Sequence, residues 1–332
     1  MGSPKPRRTS SLVEDELVEF IRGLVENGIE AFGLRDDAAL VEVSGAGQLV
    51  VSVDSVVAGV HVDLAVCSPG DVGWKALMGA LSDLAAMGAA PLGALIALCV
   101  PGGAGDGKMA LGVMQGVAEA AEVSGCPVVG GDVSSSPELF VAVTVLGTVA
   151  DTEGDEDGAG ARSDRARGPV PRSGAAAGDA VLVTGPCGAS AAGLRELRAG
   201  AHEGAAGLAY RRPVARLREG ALARRCGAHA MIDVSDGFAL DLHRLADASG
   251  VGFRLDEVPV AADATLDEAL GGGEDYELLV AVGKGELSAF LERFDAEGLR
   301  IPLQVGTFLA DSEVRLLGDQ ELERLGWQHR LG

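Results

Sequence analysis

The hydrophobic pattern of residues 49–62 predicts a strand that carries an acid close to its end. Val51 and Val53 alternate there with Ser52 and Asp54, and this period is typical of a strand with one face toward a core. A carboxylate at the end of such a strand lies at the rim of a sheet, where groups from other segments can reach it. The rest of the chain is expected to be organised around this stretch.

Strand and helix patterns alternate around it through residues 11–150. Ser11 and Glu14 form a capping-box pattern that predicts the start of a helix. Asp71 is expected to cap a second helix, at 72–87. The remaining predicted elements are a strand at 94–100, a helix at 109–124, a strand at 128–129 that leads into a glycine turn delivering Asp132, and a strand at 139–149.

A change of composition divides the chain into two predicted domains. Residues 151–168 are poor in apolar side chains and rich in glycine and charge, which predicts a mobile insertion with no function of its own. The predicted organisation is a disordered tail at 1–10, an N-terminal domain at 11–150, a flexible acidic and glycine-rich insertion at 151–170, and a C-terminal domain at 171–332.

The second half of the chain begins with a predicted strand at 179–184 and a glycine-rich turn at 185–193. Such a turn can bind phosphate through backbone N–H groups, but this one lacks the Lys-Ser/Thr of a P-loop. A tight turn is therefore the preferred interpretation, with phosphate binding as the alternative. The remaining predicted elements are a strand, a Ser/Asp turn and a helix start at 231–238, a glycine turn and strand at 271–280, a helix at 286–297 and a strand at 303–309.

Composition favours an α/β architecture. At 332 residues the chain is long enough for two domains with separate cores. It is 47% hydrophobic but only 4% aromatic, so those cores should be rich in Ala, Val and Leu. This composition fits α/β layers better than a disulfide-stapled or fibrous protein.

Charge and cysteine usage narrow the class of partner and the compartment. The formal net charge of −22 argues against binding to nucleic acid or to an anionic membrane, and its simplest interpretation is a solvated acidic surface. The five cysteines form no C-x-x-C pair and are expected to be small buried residues in a reducing compartment. The sequence contains no N-terminal apolar segment and no bilayer-spanning run, so a cytoplasmic location is expected.

Acidic residues recur where predicted strands end or helices begin. They occur in the stretches Asp36-Asp37, Asp54, Asp83, Gly130-Gly131-Asp132 and Asp233-Val-Ser-Asp236. Two carboxylates ~4 Å apart repel by about 4 kcal/mol at an effective dielectric constant of roughly 20, so a pocket that gathers these acids needs cations. Without Cys or His clusters, hard cations such as Mg²⁺ are favoured, an arrangement that suits phosphoryl transfer. For Asp83 alone, a solvent-facing acid is an equal alternative.

Several motifs occur in the order and near-regular spacing of a known enzyme family. They are Asp36-Asp37-Ala-Ala, Val51-Ser-Val-Asp54, Gly59-Val-His61, Gly73-Trp-Lys-Ala, Leu81-Ser-Asp-Leu-Ala-Ala-Met-Gly88, Gly130-Gly-Asp132, Ile232-Asp-Val-Ser-Asp-Gly237 and Gly273-Glu-Asp-Tyr-Glu-Leu-Leu. With them the chain resembles the thiamine-monophosphate kinases, members of the superfamily of aminoimidazole-ribotide synthetase-like ATP-binding proteins. The resemblance extends from about Leu17 to Trp327.

The resemblance implies a fold and a reaction. The fold is α/β (α+β) with two domains. Its N-terminal, ATP- and Mg-binding domain pairs its sheet with that of a second subunit, forming a barrel across a homodimer. The implied reaction transfers the γ-phosphate of ATP to thiamine monophosphate, giving thiamine diphosphate, with several Mg²⁺ ions; whether K⁺ assists is left open. Direct in-line transfer is our hypothesis, because no nucleophilic His or Cys accompanies the acids.

The resemblance also implies roles for individual residues. The expected Mg²⁺ ligands are Asp37, Ser52, Val53, Asp54, Asp83, Asp132, Asp233 and Asp236, of which Asp54, Asp83 and Asp236 are expected to be catalytic. The expected nucleotide contacts are Gly131, Asp132, Arg172 and Ser235, and the expected contacts to thiamine phosphate are His61, Glu274 and Trp327. Arginine can bind phosphate through two N–H groups, and a tryptophan face suits a cationic ring. Taken alone, His61 would equally be a surface histidine and Trp327 more often a packing residue.

Some positions differ from the family pattern. Val53 replaces the usual threonine, so only its backbone oxygen could bind a metal, and Met114 stands where an aromatic often borders the adenine. The segment 258–271 is short, and the tail ends in Gln-His-Arg at 328–330 rather than in an aromatic residue. The alternatives are another enzyme of the superfamily, such as aminoimidazole-ribotide or selenophosphate synthetase, and a silent Mg-nucleotide-binding scaffold. The presence of all the expected carboxylates argues against a silent scaffold.

Overall fold

The computed structural model describes residues 12–13, 36–43, 47–102, 107–149, 168–201 and 204–331. The predicted tail at 1–10 and nearly all of the predicted insertion at 151–168 lie outside these residues. The prediction of a helix starting at Ser11 is wrong at its start, because Leu12–Val13 form a strand, β1. The remainder of the predicted helix lies outside the described residues. β1 pairs with β14 (Arg330–Leu331), so a partner distant in the sequence overrides the local helix pattern.

The described residues of the N-terminal part form a five-stranded sheet and two helices. Its strands are β2 (Ala39–Val43), β3 (Gly47–Val57), β4 (Ala90–Pro101), β5 (Val128–Ser136) and β6 (Phe140–Thr148), and its helices are α1 (Pro69–Ala86) and α2 (Lys108–Ser124). The strand order is β2-β3-β6-β4-β5. β4 and β5 pair in parallel, whereas the other neighbours pair antiparallel. β4 follows α1 directly, so this helix passes along the sheet before the chain re-enters it.

The two faces of this sheet differ in burial. Val141, Val143 and Val145 of β6 are buried and pack with the apolar side of α1. On the opposite face, Val53 is 64% exposed and Leu95 is 41% exposed. Within the described part of the chain, helices therefore cover one face of the sheet, and the other, called the open face below, is apolar and accessible.

The C-terminal part contains a second sheet flanked by helices. Its strands are β7 (Ala180–Val183), β8 (Ala230–Asp233), β9 (Gly252–Leu255), β10 (Leu278–Val282), β11 (Leu303–Leu309), β12 (Arg315–Leu317) and β13 (Gln320–Glu321). The helices are α3 (Ala189–Arg198), α4 (Ala205–Arg211), α5 (Leu217–Arg225), α6 (Phe238–Ser249), α7 (Leu266–Gly271) and α8 (Leu287–Ala296). The strand order is β13-β12-β9-β11-β7-β10-β8. The described residues thus form a mixed α/β protein with two large sheets and the short β1–β14 pair.

Two local predictions are corrected by the structure. α1 is capped by Ser68 rather than by Asp71: the Ser68 hydroxyl accepts the Asp71 N–H, and the Asp71 carboxylate accepts the Ser68 N–H. The predicted glycine turn before Asp132 is instead the middle of β5, which runs straight through it. Gly131 has a reason to be glycine there, because a Cβ would lie 2.0 Å from the carbonyl oxygen of Ile96 on β4.

Helix α1 joins the two parts of the molecule. Its end packs Ala85 and Ala86 into a core shared with C-terminal residues such as Leu182 and Leu222, and the Val170 N–H donates to the Met87 carbonyl. No helix in the described ranges is long and apolar enough to cross a membrane. Side chains on α1 therefore face groups from both sheets, and the candidate site lies at this junction.

Candidate active site

Three of the predicted acids converge at the junction. Oxygen atoms of Asp37, Asp83 and Asp233 all lie within 4.8 Å of one another. Asp37 comes just before β2, Asp83 is in the last turn of α1, and Asp233 ends β8. Carboxylate oxygens gathered this closely are suitable ligands for a hard divalent cation. These residues, called the aspartate cluster below, form a candidate metal centre.

The surroundings of the cluster disfavour its negative charge. Burial, with Asp233 and Asp37 close by, raises the pKa of Asp83 well above its usual range. Burial and then Asp37 raise the pKa of Asp233 in the same way. Two hydroxyls act in the opposite direction: Ser52 Oγ donates to Asp83 Oδ2 at 2.5 Å, and Ser82 Oγ donates to Asp233 Oδ2 at 2.5 Å. A cation between the carboxylates would remove their repulsion.

Arg172 forms a two-pronged ion pair with the cluster. Its Nη2 and Nε donate to the two carboxylate oxygens of Asp37 at 2.8 and 3.1 Å, and its main-chain N–H donates to Asp36 at 2.7 Å. Although burial acts in the opposite direction, the contact with Asp37 raises the pKa of Arg172. A permanently charged guanidinium therefore lies beside the candidate metal centre, where it is also suited to phosphate.

Strand β3 sends Ser52 and Asp54 to one side of the sheet and Val53 to the other. Ser52 and Asp54 are paired with Val145 and Val143, which lie on the face covered by α1, and Val53 projects onto the open face. The Val53 side chain thus points away from the aspartate cluster. Only the backbone of Val53 could offer a polar atom to the same site. The alternation predicted from the sequence explains this split.

Helix α1 presents one stripe of residues to the site. Lys75, Gly79 and Asp83 are spaced by four and so lie on one face of the helix. A Cβ on Gly79 would lie 3.0 Å from Asp54 Oδ2 and 3.0 Å from the Tyr276 hydroxyl. The absence of a side chain at Gly79 therefore lets Asp54 and Tyr276 approach the helix.

Asp236 and Ser235 lie in the turn between β8 and α6. The Asp236 carboxylate accepts a hydrogen bond from Arg244 Nη1 at 2.5 Å. The same turn contacts two other predicted site residues, because the Ser235 carbonyl accepts the Glu274 N–H at 2.7 Å and the Asp236 carbonyl accepts the Trp327 N–H at 2.9 Å. Segments far apart in the sequence are thus tied together through this turn.

A cavity of about 990 Å³ opens at this junction, and both parts of the chain line it. Its walls contain acids and ring-bearing side chains, namely Asp54, Asp83, Asp233, Asp236, His61, Tyr210, Glu274, Tyr276, Trp327 and His329. This volume lies in the range of pockets that enclose small molecules and cofactors. The structure therefore brings most of the predicted metal and substrate residues to one cavity.

His61 is held as a neutral hydrogen-bond donor. Its Nδ1 accepts the Val57 N–H at 3.1 Å, so the proton of the neutral ring is on Nε2, which lies 3.3 Å from His329 Nε2. Burial, followed by the nearby His329 and Lys75, lowers the pKa of His61 to about 4. Trp327 contacts the same group, with its ring perpendicular to that of His329 and the centroids 6.0 Å apart.

Glu274 is paired with a buried lysine from α1. Lys75 Nζ lies 2.7 Å from Glu274 Oε2 and 3.8 Å from the centroid of the Tyr210 ring, and the Lys75 side chain is only 1% exposed. Glu274 and Tyr276 both have positive φ, at 67° and 50°. Such backbone conformations are costly for residues other than glycine and are found preferentially at functional sites.

Gly131 and Asp132 do not join the aspartate cluster within one chain. Asp132 lies on β5 in register with Ala97, Ala142 and Ser55 of the successive strands. Three strand spacings separate it from Ser55, about 14 Å along the sheet. Its register also places it on the open face, opposite to the face that presents Ser52 and Asp54.

The glycine-rich turn at 185–193 is already occupied by a carboxylate. The Gly188 and Ser190 N–H groups at the start of α3 donate to Asp275 at 2.6 and 3.1 Å. A phosphate at this helix start would have to displace the half-buried Asp275 carboxylate. The structure thus favours the tight-turn interpretation of this segment over phosphate binding.

Both parts of the chain match the same family. The family profile described as AIR synthase related protein, N-terminal domain, matches residues 35–149, and the C-terminal domain profile matches residues 176–319. A thiamine-monophosphate kinase of Bacillus subtilis is 33% identical over 319 residues, which cover 90% of this chain and 93% of that protein. The chain belongs to the thiamine-monophosphate kinase family.

Other comparisons agree with membership of the thiamine-monophosphate kinase family. The thiamine-monophosphate kinase of Mycobacterium tuberculosis is 36% identical over 274 residues, covering 78% of this chain and 77% of that protein. The solved structure of AaThiL complexed with AMPPCP and TMP has a TM-score of 0.81 and 28% identity, covering 98% of this chain and 99% of that one. Escherichia coli HypE, at 21% identity and a TM-score of 0.65, shares the fold. The family resemblance and the two-domain α/β fold expected from the sequence are confirmed.

Sequence reasoning missed four residues at this site of the thiamine-monophosphate kinase fold. They are Lys75, Arg244, Tyr276 and His329. Lys75 left a signal, since a lysine within an otherwise apolar stretch of α1 needs a partner. His329 was noted only as a departure at the tail. The roles of Arg244 and Tyr276 depend on contacts across turns that no periodicity predicts.

Proposed function

We propose that this protein transfers the γ-phosphate of ATP to thiamine monophosphate, giving thiamine diphosphate and ADP. The observation that carries the proposal is the cavity in which Asp83 and Asp233 of the aspartate cluster meet His61, Glu274 and Trp327. Relatives that cover most of this chain are named thiamine-monophosphate kinases, and a structure with the same fold holds AMPPCP and TMP. The chain is therefore a kinase whose acceptor is itself a phosphate.

The acids of the cavity are the proposed Mg²⁺ ligands. The donor set consists of hard oxygen atoms crowded at a buried position, which fits Mg²⁺ and not a softer metal. The proposed ligands are Asp37, Ser52, Asp54, Asp83, Asp233 and Asp236, with the backbone oxygen of Val53. When bound, Mg²⁺ would neutralise phosphate charge and align the transferring group. Asp54, Asp83 and Asp236 are the proposed catalytic members.

Arg172 and Ser235 are the proposed nucleotide contacts of this chain. Arg172 lies beside the aspartate cluster through its pair with Asp37, so it can contact a phosphate that is bound to the same metal. Ser235 lines the cavity next to Asp236. Both groups bind and orient the donor, which is the main contribution a protein makes to phosphoryl transfer.

The acceptor is proposed to bind against His61, Glu274 and Trp327. His61 offers a neutral Nε2–H to the phosphate, because its Nδ1 is engaged by the Val57 N–H. Trp327 is half exposed to the cavity and offers a ring face to the cationic thiazolium. The Glu274 carboxylate supplies a negative charge whose direction is fixed by Lys75.

The phosphate is proposed to pass directly between the two substrates. Among the described residues that line the cavity, the candidate nucleophiles are His61 and His329. The one in-plane lone pair of the neutral His61 ring is on Nδ1, and it accepts the Val57 N–H, so it is not directed at a phosphate. A direct in-line transfer needs no enzyme nucleophile, and the acids supply charge neutralisation instead.

A homodimer with a barrel across its interface is also proposed. The open face of the N-terminal sheet is apolar at Val53 and Leu95, and β5 is one of the two edge strands of this sheet as described. Exposed apolar sheet faces are typical of interfaces. Asp132 and Gly131 lie on this outer strand, so in the dimer we expect them to serve a site shared with the partner. A cytoplasmic location is inferred from the scattered cysteines alone.

A direct assay of both products tests the proposal. The chain is incubated with Mg²⁺, ATP and thiamine monophosphate, and ADP and thiamine diphosphate are measured by chromatography. We expect both products in equal amounts, and we expect Asp54→Asn to lower turnover by at least about 100-fold, since metal-centred charge neutralisation supplies most of the catalysis. Asp295→Asn on the exposed side of α8 is the matched control. If ATP binds but no ADP forms, the chain is a silent scaffold.

A further inference from the structure

The turn between β8 and α6 is held by a residue outside the predicted site. α6 begins after Gly237, and no side chain of the preceding residues caps it. Instead Asp241, one turn into the helix, reaches back. Its Oδ2 accepts the N–H groups of Ser235, Asp236 and Gly237 at 3.1, 2.9 and 3.2 Å. One carboxylate oxygen thus fixes three consecutive peptide groups of the turn.

The second oxygen of Asp241 controls the side chain of the same turn. Asp241 Oδ1 accepts a hydrogen bond from Arg244 Nη1 at 2.9 Å, and this nitrogen also donates to Asp236 Oδ2 at 2.5 Å. Arg244 therefore bridges two acids and aims the Asp236 carboxylate. Backbone and side chain of the turn depend on one residue, whose own side chain is only 1% exposed.

The turn supports both substrate ends of the cavity. Its carbonyl groups accept the N–H of Glu274 and the N–H of Trp327, the two proposed acceptor contacts, while Asp236 is a proposed metal ligand. A shift of this turn would therefore displace a metal ligand and two acceptor contacts at once. A buried carboxylate is unfavourable unless its oxygen atoms accept hydrogen bonds. Here the carboxylates of Asp241 and Asp236 together accept five.

We propose that Asp241 is a positioning residue, which sets the Asp236 turn through main-chain hydrogen bonds and, through Arg244, directs the Asp236 carboxylate. The proposal rests on the proposed function of the cavity. Asp241 contacts neither substrate. Its removal should weaken Mg²⁺ binding and acceptor binding together, because one turn supports both.

The test compares Asp241→Asn with Asp247→Asn. Asp247 lies on the same helix and pairs with Arg315 and Arg324 at the surface, so it controls for loss of a carboxylate from α6. For Asp241→Asn we expect the Mg²⁺ concentration for half-maximal activity to rise by about tenfold, as is typical when a partner that orients a metal ligand is lost. The KM for thiamine monophosphate should rise as well. Mg²⁺ binding measured by calorimetry, which needs no turnover, should weaken by the same factor.

A second variant separates the main-chain hydrogen bonds of Asp241 from its link to the Asp236 carboxylate through Arg244. It also keeps the proposal testable if Asp241→Asn does not fold. Arg244→Gln removes the bond to the Asp236 side chain but leaves the three main-chain bonds of Asp241 intact. We expect it to weaken Mg²⁺ binding while the KM for thiamine monophosphate stays within about twofold. The proposal is overturned if both variants, folded by thermal melting, keep wild-type Mg²⁺ binding and wild-type KM. If the wild-type chain itself forms no ADP, the proposed function fails instead, and calorimetric Mg²⁺ binding still tests the turn.

Discussion

Lys75 shows how one residue can join packing and specificity. A lysine is almost never fully buried without a partner, and this ammonium has three: the Glu274 carboxylate, the Tyr210 ring and the His61 carbonyl. Glu274 pairs across 199 positions of sequence. The pair holds Glu274, a proposed acceptor contact, in one orientation while satisfying the buried charge.

Replacing Lys75 with methionine tests this role. Loss of the ammonium leaves Glu274 without its cation, so we expect the KM for thiamine monophosphate to rise by about tenfold, with an unchanged dissociation constant for ATP. The free energy of unfolding should fall by about 3 kcal/mol, since one partner of a largely buried pair is removed. Lys284→Met, at an exposed turn, should change unfolding by less than about 0.5 kcal/mol. Unchanged acceptor KM in Lys75→Met would contradict the role.

His61 predicts a pH dependence of stability. Its pKa is lowered from 6.5 to about 4 in the folded protein, chiefly by burial. Below pH 6.5 the unfolded chain binds a proton that the folded chain refuses, so stability is fully present above this pH and is lost as the pH falls toward 4. Between about pH 7.5 and about pH 5, the urea midpoint of the wild type should fall further than that of His61→Gln. Equal losses would show that His61 is protonated in the folded state.

At the scale of elements, local sequence patterns predict that a helix or strand exists better than they predict where it begins or what it contacts. The strand β6 follows from periodicity, because its residues alternate between buried and half-buried. Helix α1 follows from its length and from Leu77, Leu81 and Leu84 at helical spacing, although the folded protein buries it on nearly all sides. The start of α1 was misplaced onto Asp71 since a capping box contains two candidate caps, Ser68 and Asp71, and their order is settled only by geometry. β1 could not be predicted because its partner, Arg330–Leu331, lies at the opposite end of the sequence.

The site shows the same limit. Acids at strand ends marked the aspartate cluster, because a charge at the end of an apolar run is visible in the sequence. Asp241 was visible as an acid in a helix, but its direction back over the turn was not. The placement of Asp132 also escaped local analysis: a glycine pair suggested a turn, whereas the glycines allow β5 to lie close against β4.

The open face gives a prediction for β4. Leu95 is exposed there, on the face proposed to meet a second chain. We expect the wild type to sediment as a dimer and Leu95→Lys as a monomer, because a buried unpaired ammonium is strongly unfavourable. Leu111→Lys, on the exposed side of α2, should leave the dimer intact. A dimer that survives Leu95→Lys would place the interface elsewhere.

At the scale of the molecule, the crowded carboxylates of the aspartate cluster are expected to lower the stability of the metal-free protein. Burial first, and then the neighbouring carboxylates, raise the pKa values of Asp83 and Asp233, so negative charge at these positions is unfavourable in the folded protein. Local repulsion of this kind adds to the general cost of a net charge of −22. A cation that binds only the folded state should recover part of this free energy.

Thermal melting of Asp83→Asn tests whether the crowded carboxylates lower the stability of the metal-free protein. Without Mg²⁺ the variant should melt about 3 °C above the wild type, because one of the crowded charges is gone and the asparagine can still accept from Ser52. Added Mg²⁺ should raise the melting temperature of the wild type and leave that of Asp83→Asn nearly unchanged. Asp295→Asn, away from the cavity, should follow the wild type under both conditions. An Mg²⁺ response retained by Asp83→Asn would remove this residue from the metal centre.

The stripe of Lys75, Gly79 and Asp83 on α1 also fixes a distance along the cavity. Lys75 and Asp83 are eight residues apart on one face of one helix, a separation of about 12 Å. In the proposed function, Lys75 serves the acceptor through Glu274 and Asp83 serves the nucleotide through the aspartate cluster. A helix resists stretching far better than a loop does, so the gap between donor and acceptor is built into the backbone. An acceptor with a longer or shorter arm between its ring and its phosphate would present the wrong atom at the transfer point. If the proposed site is right, we expect selection by molecular length to come from the scaffold itself.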